Sequence, residues 1–107
     1  MGEIKELLLA PDLLEWVKKG LKTATSRAGR RNIWPHDTLR LISNEDSSDY
    51  VDVRVVKTTY VPFGALSQEE AEIEGYDSLL DFQSRLLEIY PDTEDDTTFT
   101  LIQFEQE

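Results

Sequence analysis

The chain has 107 residues, 39% hydrophobic and 31% charged, as expected of one soluble globular domain over residues 1–107. It has no cysteine and one histidine, which excludes disulfides, a thiolate nucleophile and cysteine- or histidine-rich metal sites, so no metal or cofactor is expected. No apolar run approaches the roughly 20 residues of a membrane helix, and the first nine residues do not resemble a signal peptide. We therefore expect a cytoplasmic protein without a membrane partner.

The net charge of −11 is unevenly distributed along the chain. Residues 1–43 hold eight basic and five acidic side chains, whereas residues 44–107 hold three and seventeen. Six of the basic residues lie within residues 18–31, where there is no acid. A basic loop on an acidic body suits a small anionic group or a short single strand of nucleic acid, since repulsion opposes broader binding to phosphates. The alternative is a merely solvated loop.

The first half of the chain predicts one helix among short strands. Pro11 begins the helix, Trp16 belongs to its apolar stripe and is expected in the core, and Gly20 caps its C-terminus. The remaining segments, in order, are a strand (Ile4–Leu9), a strand or extended loop (Lys22–Arg27), a basic loop (Ala28–His36), a strand (Asp37–Ile42) and an acidic turn (Asn44–Asp49).

The second half predicts two helices between two strands. Ser67 and Glu70 form a capping box for a helix that Gly75 ends, and Ser78 begins a second helix that Pro91 stops. The remaining segments are a strand (Tyr50–Tyr60), a connector (Val61–Ala65), an acidic loop (Asp92–Asp96) and a strand (Thr98–Phe104). The order β-α-β-β-β-α-α-β lacks βαβ units and predicts an α+β fold with a mainly antiparallel sheet.

The segment Gly20-Leu21-Lys22-Thr23-Ala24-Thr25, followed by Arg27, places a lysine, hydroxyls and a guanidinium close together. A lysine near a hydroxyl can act as the base that activates the hydroxyl as a nucleophile. The same groups also suffice to bind a phosphate or a carbonyl oxygen.

This Gly-x-Lys-x-x-Thr-x-Arg pattern resembles the signature of the ASCH domain, a member of the PUA-like superfamily. Three further segments resemble that family in the same order: HDTLRLI, AEIEGYDSLLDFQSRLLEIYP and FTLIQFE. The resemblance implies a small, mainly antiparallel β-barrel of about five strands with three short helices. His36 stands where the family usually has glycine, and a positive φ angle there costs histidine more than glycine.

Small members of the ASCH family include amidohydrolases that remove the acetyl group from N4-acetylcytidine. The resemblance assigns the catalytic roles to Lys22, Thr25 and Glu74. In this scheme Thr25 is the nucleophile, and Lys22 is the base if burial and neighbouring charge lower its pKa. Glu74 orients Lys22 or protonates the departing amine, and Arg27 holds an oxyanion or a phosphate.

The catalytic scheme sets a geometric condition on the backbone. On a regular strand Lys22 and Thr25 would point to opposite faces, because the side-chain period is two. The scheme therefore needs Lys22 on the turn after Gly20, or a bulge before Thr25. The structural alternatives are a surface cation for Lys22, a cross-strand contact for Thr25 and a solvated acid for Glu74.

Two other functions stay open. The first is a non-catalytic module that binds RNA or a modified base, with Gly20, Arg27, Arg30, Arg31 and Trp34 as binding residues. Trp34 either stacks on a base or anchors the loop to the core. The second is a ribonuclease that uses the same cleft. The expected partner is a small nucleoside or a short single-stranded RNA.

Overall fold

The computed structural model describes residues 4–107 and places eight regular elements in the predicted order. The expectation about a signal peptide falls partly on residues 1–3, which lie outside the described residues. The strands are β1 (Ile4–Leu9), β2 (Ala24–Ala28), β3 (Thr38–Ser43), β4 (Tyr50–Pro62) and β5 (Thr98–Gln106). The helices are α1 (Pro11–Lys18), α2 (Gln68–Ile73) and α3 (Leu79–Ile89). The connector after β4 contains a short 3-10 helix, Phe63–Ala65, that the sequence did not predict.

The five strands form one curled mixed sheet in the order β1-β3-β4-β5-β2. The β1–β3 pair is parallel and the other three pairs are antiparallel, which confirms an α+β fold with a mainly antiparallel sheet. β4 and β5 change register between Val55 and Lys57, and an irregularity of this kind increases strand bending and twist. The result is a half-barrel with β1 and β2 at its two edges.

Each face of the sheet carries its own hydrophobic core. Ile102 and Phe104 of β5 pack with α1 on one face, whereas Phe99 and Leu101 pack with α2 and α3 on the other. The alternation follows the two-residue period of a strand. Because β5 is buried on both faces and pairs with β4 and β2, it fixes the position of β2, the strand that follows Lys22.

Both predicted helix starts in the second half are confirmed. The hydroxyl of Ser67 accepts from the Glu70 N–H while the Glu70 carboxylate accepts from the Ser67 N–H, and Ser78 caps α3 through the Asp81 N–H. Gly75, directly after the C-cap of α2, has a φ of +99°. These local signals define where the short helix α2 begins and ends, and they place Glu74 at its C-terminal end.

His36 adopts a φ of +77°, in the region that glycine tolerates and other residues adopt at a cost. Its N–H donates to the Val55 carbonyl at 3.0 Å. The buried Asp37 carboxylate accepts from the Trp34 N–H at 2.9 Å, so Asp37 is a turn residue. The turn therefore keeps a positive φ although a histidine occupies it.

Candidate functional site

Lys22 lies on the turn between α1 and β2. Gly20 has a φ of +78°, and the N–H groups of Leu21 and Lys22 both donate to the Trp16 carbonyl, at 2.9 and 3.2 Å. Because β2 begins only at Ala24, the chain meets the geometric condition: Lys22 stands on the turn after Gly20 and not on the strand.

Lys22 and Glu74 form a buried ion pair. Lys22 Nζ lies 2.7 Å from Glu74 Oε1 and 3.3 Å from the Glu74 carbonyl oxygen, and both side chains are 2% exposed. The Thr23 N–H donates to the Ile73 carbonyl at 2.7 Å, which joins the turn to the end of α2. The surface cation and the solvated acid are therefore wrong descriptions of Lys22 and Glu74.

The hydroxyls of Thr25 and Ser26 lie on opposite faces of β2. Thr25 is paired with Ile102, and its hydroxyl accepts from Arg27 Nη1 at 2.9 Å. Ser26 is paired with Leu101, and its hydroxyl donates to Glu74 Oε2. The structure thus joins Lys22 to Glu74 as the catalytic scheme requires, while Thr25 is held by Arg27 on the other side of the strand.

Sequence reasoning missed Ser26. The available signal was the period of two, because a strand that begins at Ala24 places Ser26 on the face opposite Thr25 and Arg27. What the period does not reveal is that Glu74, 48 residues later, reaches that same face.

Arg27 connects the two edges of the half-barrel. Its Nη1 donates to the Ser26 carbonyl at 2.8 Å, and its Nη2 donates to the Leu8 carbonyl of β1 at 2.6 Å. Within residues 4–107 its hydrogen-bond partners are thus neutral oxygen atoms. Burial lowers the pKa of Arg27. Among the described residues, no carboxylate accepts a hydrogen bond from the guanidinium to balance its positive charge.

A cleft of about 150 Å³ lies where Arg27 of β2 meets Leu8 of β1. Leu8 of β1, Ser26 and Arg27 of β2, and Arg85 and Tyr90 at α3 are among its lining residues. Arg85 also donates to both carboxylate oxygens of Asp12 at 3.2 Å. Lys22 and Glu74 do not line the cleft. Ser26 does line it, and its hydroxyl also donates to the Glu74 carboxylate.

Burial sets the electrostatics of the site. It lowers the pKa of Lys22, against the opposing effect of the Glu74 carboxylate, and the positive charges of Arg27 and Arg85 lower that pKa further. Burial also raises the pKa of Tyr76 to about 12. A lysine whose ammonium form is disfavoured gives up a proton more easily than an exposed one, which a general base requires.

The other predicted binding residues form a separate surface. Trp34 is 44% exposed and meets Tyr60 edge-on, with ring centroids 6.0 Å apart, while the Arg30 guanidinium lies 4.9 Å from the centre of the Tyr60 ring. Arg31 donates to the Ala28 carbonyl from its guanidinium and to Thr100 Oγ1 from its backbone. None of these side chains lines the 150 Å³ cleft.

Residues 4–107 contain neither a cluster of metal-ligating side chains nor a membrane-spanning helix. No group of three histidine, cysteine, aspartate or glutamate side chains there is arranged to hold a metal ion. No helix in that range combines the length and apolar character needed to cross a membrane.

The half-barrel of five strands with three helices has the α+β fold of PUA-like domains. The family model described as "ASCH domain" matches residues 5–107. The chain therefore belongs to the ASCH domain family. No curated protein sequence matches it significantly.

Solved structures with the same fold come from several bacteria. The ASCH domain from Lactobacillus crispatus JV V101 is similar, with a TM-score of 0.84 at 11% identity over 97% of this chain and 79% of that one. A protein from Enterococcus faecalis V583 has a TM-score of 0.74 at 17% identity, over 99% and 80%. A point variant of the Zymomonas mobilis ASCH protein has a TM-score of 0.68 at 10% identity, over 95% and 69%. At these identities the similarity establishes the fold.

Proposed function

We propose that this ASCH domain hydrolyses an acyl amide on a modified cytosine nucleoside, with N4-acetylcytidine as the candidate substrate. The observation that carries the proposal is the buried Lys22–Glu74 pair, 2.7 Å apart, next to a strand that presents hydroxyls on both of its faces. A basic group with a lowered pKa beside a hydroxyl and a guanidinium is suited to acyl transfer. The side chains supply this chemistry without a metal or a cofactor.

In the proposed reaction Lys22 acts as the neutral amine, the form that its lowered pKa favours: Thr25 Oγ1 attacks the acetyl carbonyl carbon while its proton passes to Lys22 Nζ. Arg27, which holds Thr25 Oγ1 at 2.9 Å, stabilises the oxyanion that forms. The carbon–nitrogen bond then breaks, and the proton passes from Lys22 to the departing cytosine amine. Water hydrolyses the acyl-threonine to acetate. Because the Thr25 hydroxyl faces away from the Lys22–Glu74 pair in this structure, the proposal requires a proton path between Thr25 and Lys22 in the substrate complex, directly or through one water molecule.

Thr25→Val is expected to reduce cytidine release by about 100-fold or more, because it removes the nucleophile while nearly preserving the side-chain volume. The measurement is chromatography of the products after incubation of purified protein with N4-acetylcytidine. Thr23→Val is the matched control, since Thr23 is exposed and its hydroxyl donates to the Ile73 carbonyl at 3.3 Å. Release of cytidine by Thr25→Val at the parental rate would contradict the role of Thr25, and its absence with the parent protein would contradict the function.

A second candidate function is the binding of single-stranded RNA on the surface formed by Arg30, Trp34 and Tyr60. The observation that favours it is an exposed tryptophan next to a cation that packs over a tyrosine ring. Such surfaces stack bases, and phosphate contacts add a salt-dependent component.

Trp34→Ala is expected to weaken the binding of a short single-stranded RNA by about 1–3 kcal/mol, the usual value of one stacked base. Fluorescence anisotropy at several salt concentrations provides the measurement, and Arg30→Gln should reduce its salt dependence. Tyr50→Ala is the control, because Tyr50 is also an exposed aromatic with a cation, Arg40, over its ring, but lies outside the basic loop. Equal affinities for all variants would contradict this function. If the RNA is recovered as shorter fragments on a gel after incubation with the protein, the protein is a ribonuclease.

A further inference from the structure

The 150 Å³ cleft carries two guanidinium groups in its wall and no carboxylate. Arg27 and Arg85 are among its lining residues, and none of the described residues that line it is aspartate or glutamate. The chain as a whole has a net charge of −11, and residues 44–107 hold seventeen acidic side chains against three basic ones. Because acidic side chains dominate the protein, a cleft lined by cations is a local exception that favours an anionic ligand.

Arg27 retains N–H groups for such a ligand. A guanidinium has five N–H groups. Arg27 uses three of them, on Thr25 Oγ1 and on the carbonyl oxygens of Ser26 and Leu8, so two remain without a partner in residues 4–107. All three acceptors are neutral, and burial lowers the pKa of Arg27 because its charge is poorly solvated. An anion in the cleft would therefore stabilise this guanidinium.

Arg85 is held less firmly than Arg27. Its two hydrogen bonds to the Asp12 carboxylate are both 3.2 Å long, and its Nε lies 3.9 Å from Glu88 Oε2. The Asp12 and Glu88 side chains are 52% and 74% exposed, and exposed ion pairs contribute little to stability. Arg85 can therefore exchange Asp12 for a ligand at a small cost in free energy, and its three other N–H groups are available at the same time.

One positive charge at the cleft is left after the nearby ion pairs are counted. The Glu74 carboxylate acts on the charge of Arg27, but it is paired with Lys22 at 2.7 Å. The Asp12 carboxylate is likewise paired with Arg85. Among the described residues Arg27 therefore lacks a counterion of its own, and a bound anion would supply one.

The size of the cleft suits a phosphate group. Its volume of about 150 Å³ is several times the roughly 30 Å³ that one water molecule occupies in the liquid, which is room for a phosphate group but not for a whole nucleotide. A second hollow of about 300 Å³ shares Ile89 and Tyr90 with it and gives room for the rest of such a ligand. Two guanidinium groups on one ligand are matched better by the three terminal oxygens of a phosphate monoester than by the two of a carboxylate or a phosphodiester.

We propose that this cleft binds a phosphate monoester through Arg27 and Arg85, so that the substrate of the domain is a cytosine nucleotide and not the uncharged nucleoside. The identity of the base rests on the proposed amidohydrolase function, whereas the phosphate site rests on the two guanidinium groups. Arg27 serves both parts of the ligand: Nη1 stays at Thr25 Oγ1, and the two remaining N–H groups contact the phosphate.

Calorimetric titration of the parent protein with cytidine, cytidine 5′-monophosphate and cytidine 3′-monophosphate, at constant ionic strength, tests the site. At least one monophosphate is expected to bind about tenfold or more tightly than cytidine, as for hydrogen bonds to a charged group. The net charge of −11 works against this result, since the overall field of the protein favours the uncharged cytidine. Monophosphates that bind no more tightly than cytidine would overturn the proposal, whether or not the parent protein hydrolyses N4-acetylcytidine.

Two substitutions should move the affinity for the tighter monophosphate in opposite directions. Arg85→Gln should lower it about tenfold, whereas Asp12→Asn should raise it a few-fold because it releases Arg85 from its carboxylate partner. Neither should change the affinity for cytidine. Arg54→Gln and Glu105→Gln are the matched controls, because they remove the same charges from an exposed pair outside the cleft. Changes of equal size in the controls would reveal a long-range effect of charge and overturn the site.

The outcomes separate this inference from the proposed function. A parent protein that binds a monophosphate through Arg85 but releases no acetate from N4-acetylcytidine or its monophosphates contradicts the amidohydrolase function alone. A dinucleotide whose only phosphate is a diester, cytidylyl-cytidine, would overturn the preference for a free nucleotide if it binds as tightly as the monophosphate. If Arg85→Gln does not fold, Arg85→Lys decides: it keeps the charge without the planar fork and should give a smaller loss, and no loss would overturn the site.

Discussion

Lys22→Met is expected to lower the free energy of unfolding by about 3–5 kcal/mol and to abolish cytidine release. The substitution leaves the Glu74 carboxylate 2% exposed without its cation, and breaking a buried pair on one side has this cost because the remaining charge stays uncompensated. Urea unfolding followed by circular dichroism gives the stability, and the N4-acetylcytidine assay gives the activity. Lys19→Met is the matched control, since the Lys19–Glu15 pair is exposed at 3.9 Å and such pairs contribute about 0–1 kcal/mol.

The double variant Lys22→Met with Glu74→Leu separates stability from catalysis. Replacement of a whole buried pair by apolar side chains of similar volume is often neutral or stabilising, so most of the stability lost in Lys22→Met should return. Activity should not return, because the general base is absent. A double variant that unfolds as readily as Lys22→Met would show that the pair is not the cause of the loss. A Lys22→Met protein with parental activity would exclude Lys22 from the reaction.

Gly75→Ala is expected to destabilise the domain by about 2–6 kcal/mol, the sum of two effects. Gly75 has a φ of +99°, where a side chain adds about 1–3 kcal/mol of backbone strain. A Cβ at this position would also lie 2.8 Å from Trp16 Cε3, and overpacking of that kind adds about 1–3 kcal/mol. Trp16 has little room to retreat, because it already packs edge-on against Tyr76 with ring centroids 5.3 Å apart.

Gly29→Ala is the matched control for this prediction. Gly29 has a similar φ of +83°, but a Cβ there would meet no atom within 4 Å, so only the backbone strain should appear. Thermal unfolding of both variants measures the difference, which isolates the contact with Trp16. Because Gly75 directly follows Glu74, we also expect Gly75→Ala to lower activity at temperatures where the variant is still folded. Equal melting temperatures for the two alanine variants would contradict the steric argument.

The ends of the elements were largely predictable, because they depend on local chemistry. The predicted strand Ile4–Leu9 matches β1, and the Ser67–Glu70 capping box begins α2 as expected. The 3-10 helix at Phe63–Ala65 was missed, since that connector carries no capping signal. The prediction of Trp16 as a core residue is close, because the ring is half-buried and packs against the core that α1 forms with the sheet.

The candidate site was predictable only in part. The positions of Lys22, Thr25 and Glu74 came from the resemblance to the ASCH family. The sequence left open whether Lys22 stands on the turn after Gly20 or on a strand with a bulge before Thr25, and the structure decided for the turn, because β2 begins at Ala24. The contact between Lys22 and Glu74 spans 52 residues and depends on how α2 packs beside the turn. The same packing brings Ser26 to Glu74, which no local pattern indicated.

The sequence by itself determined the order of the elements, the ends of the helices and the family, because alternation of apolar residues, capping side chains and a short signature act over a few residues. Only the tertiary structure decided that Lys22 and Glu74 are buried together, that Ser26 and not Thr25 contacts this pair, and that Arg30 and Trp34 lie outside the cleft. The physical reason is that burial and pairing of charges depend on which faces of distant segments meet. That result follows from the packing of two cores on opposite faces of one curled sheet.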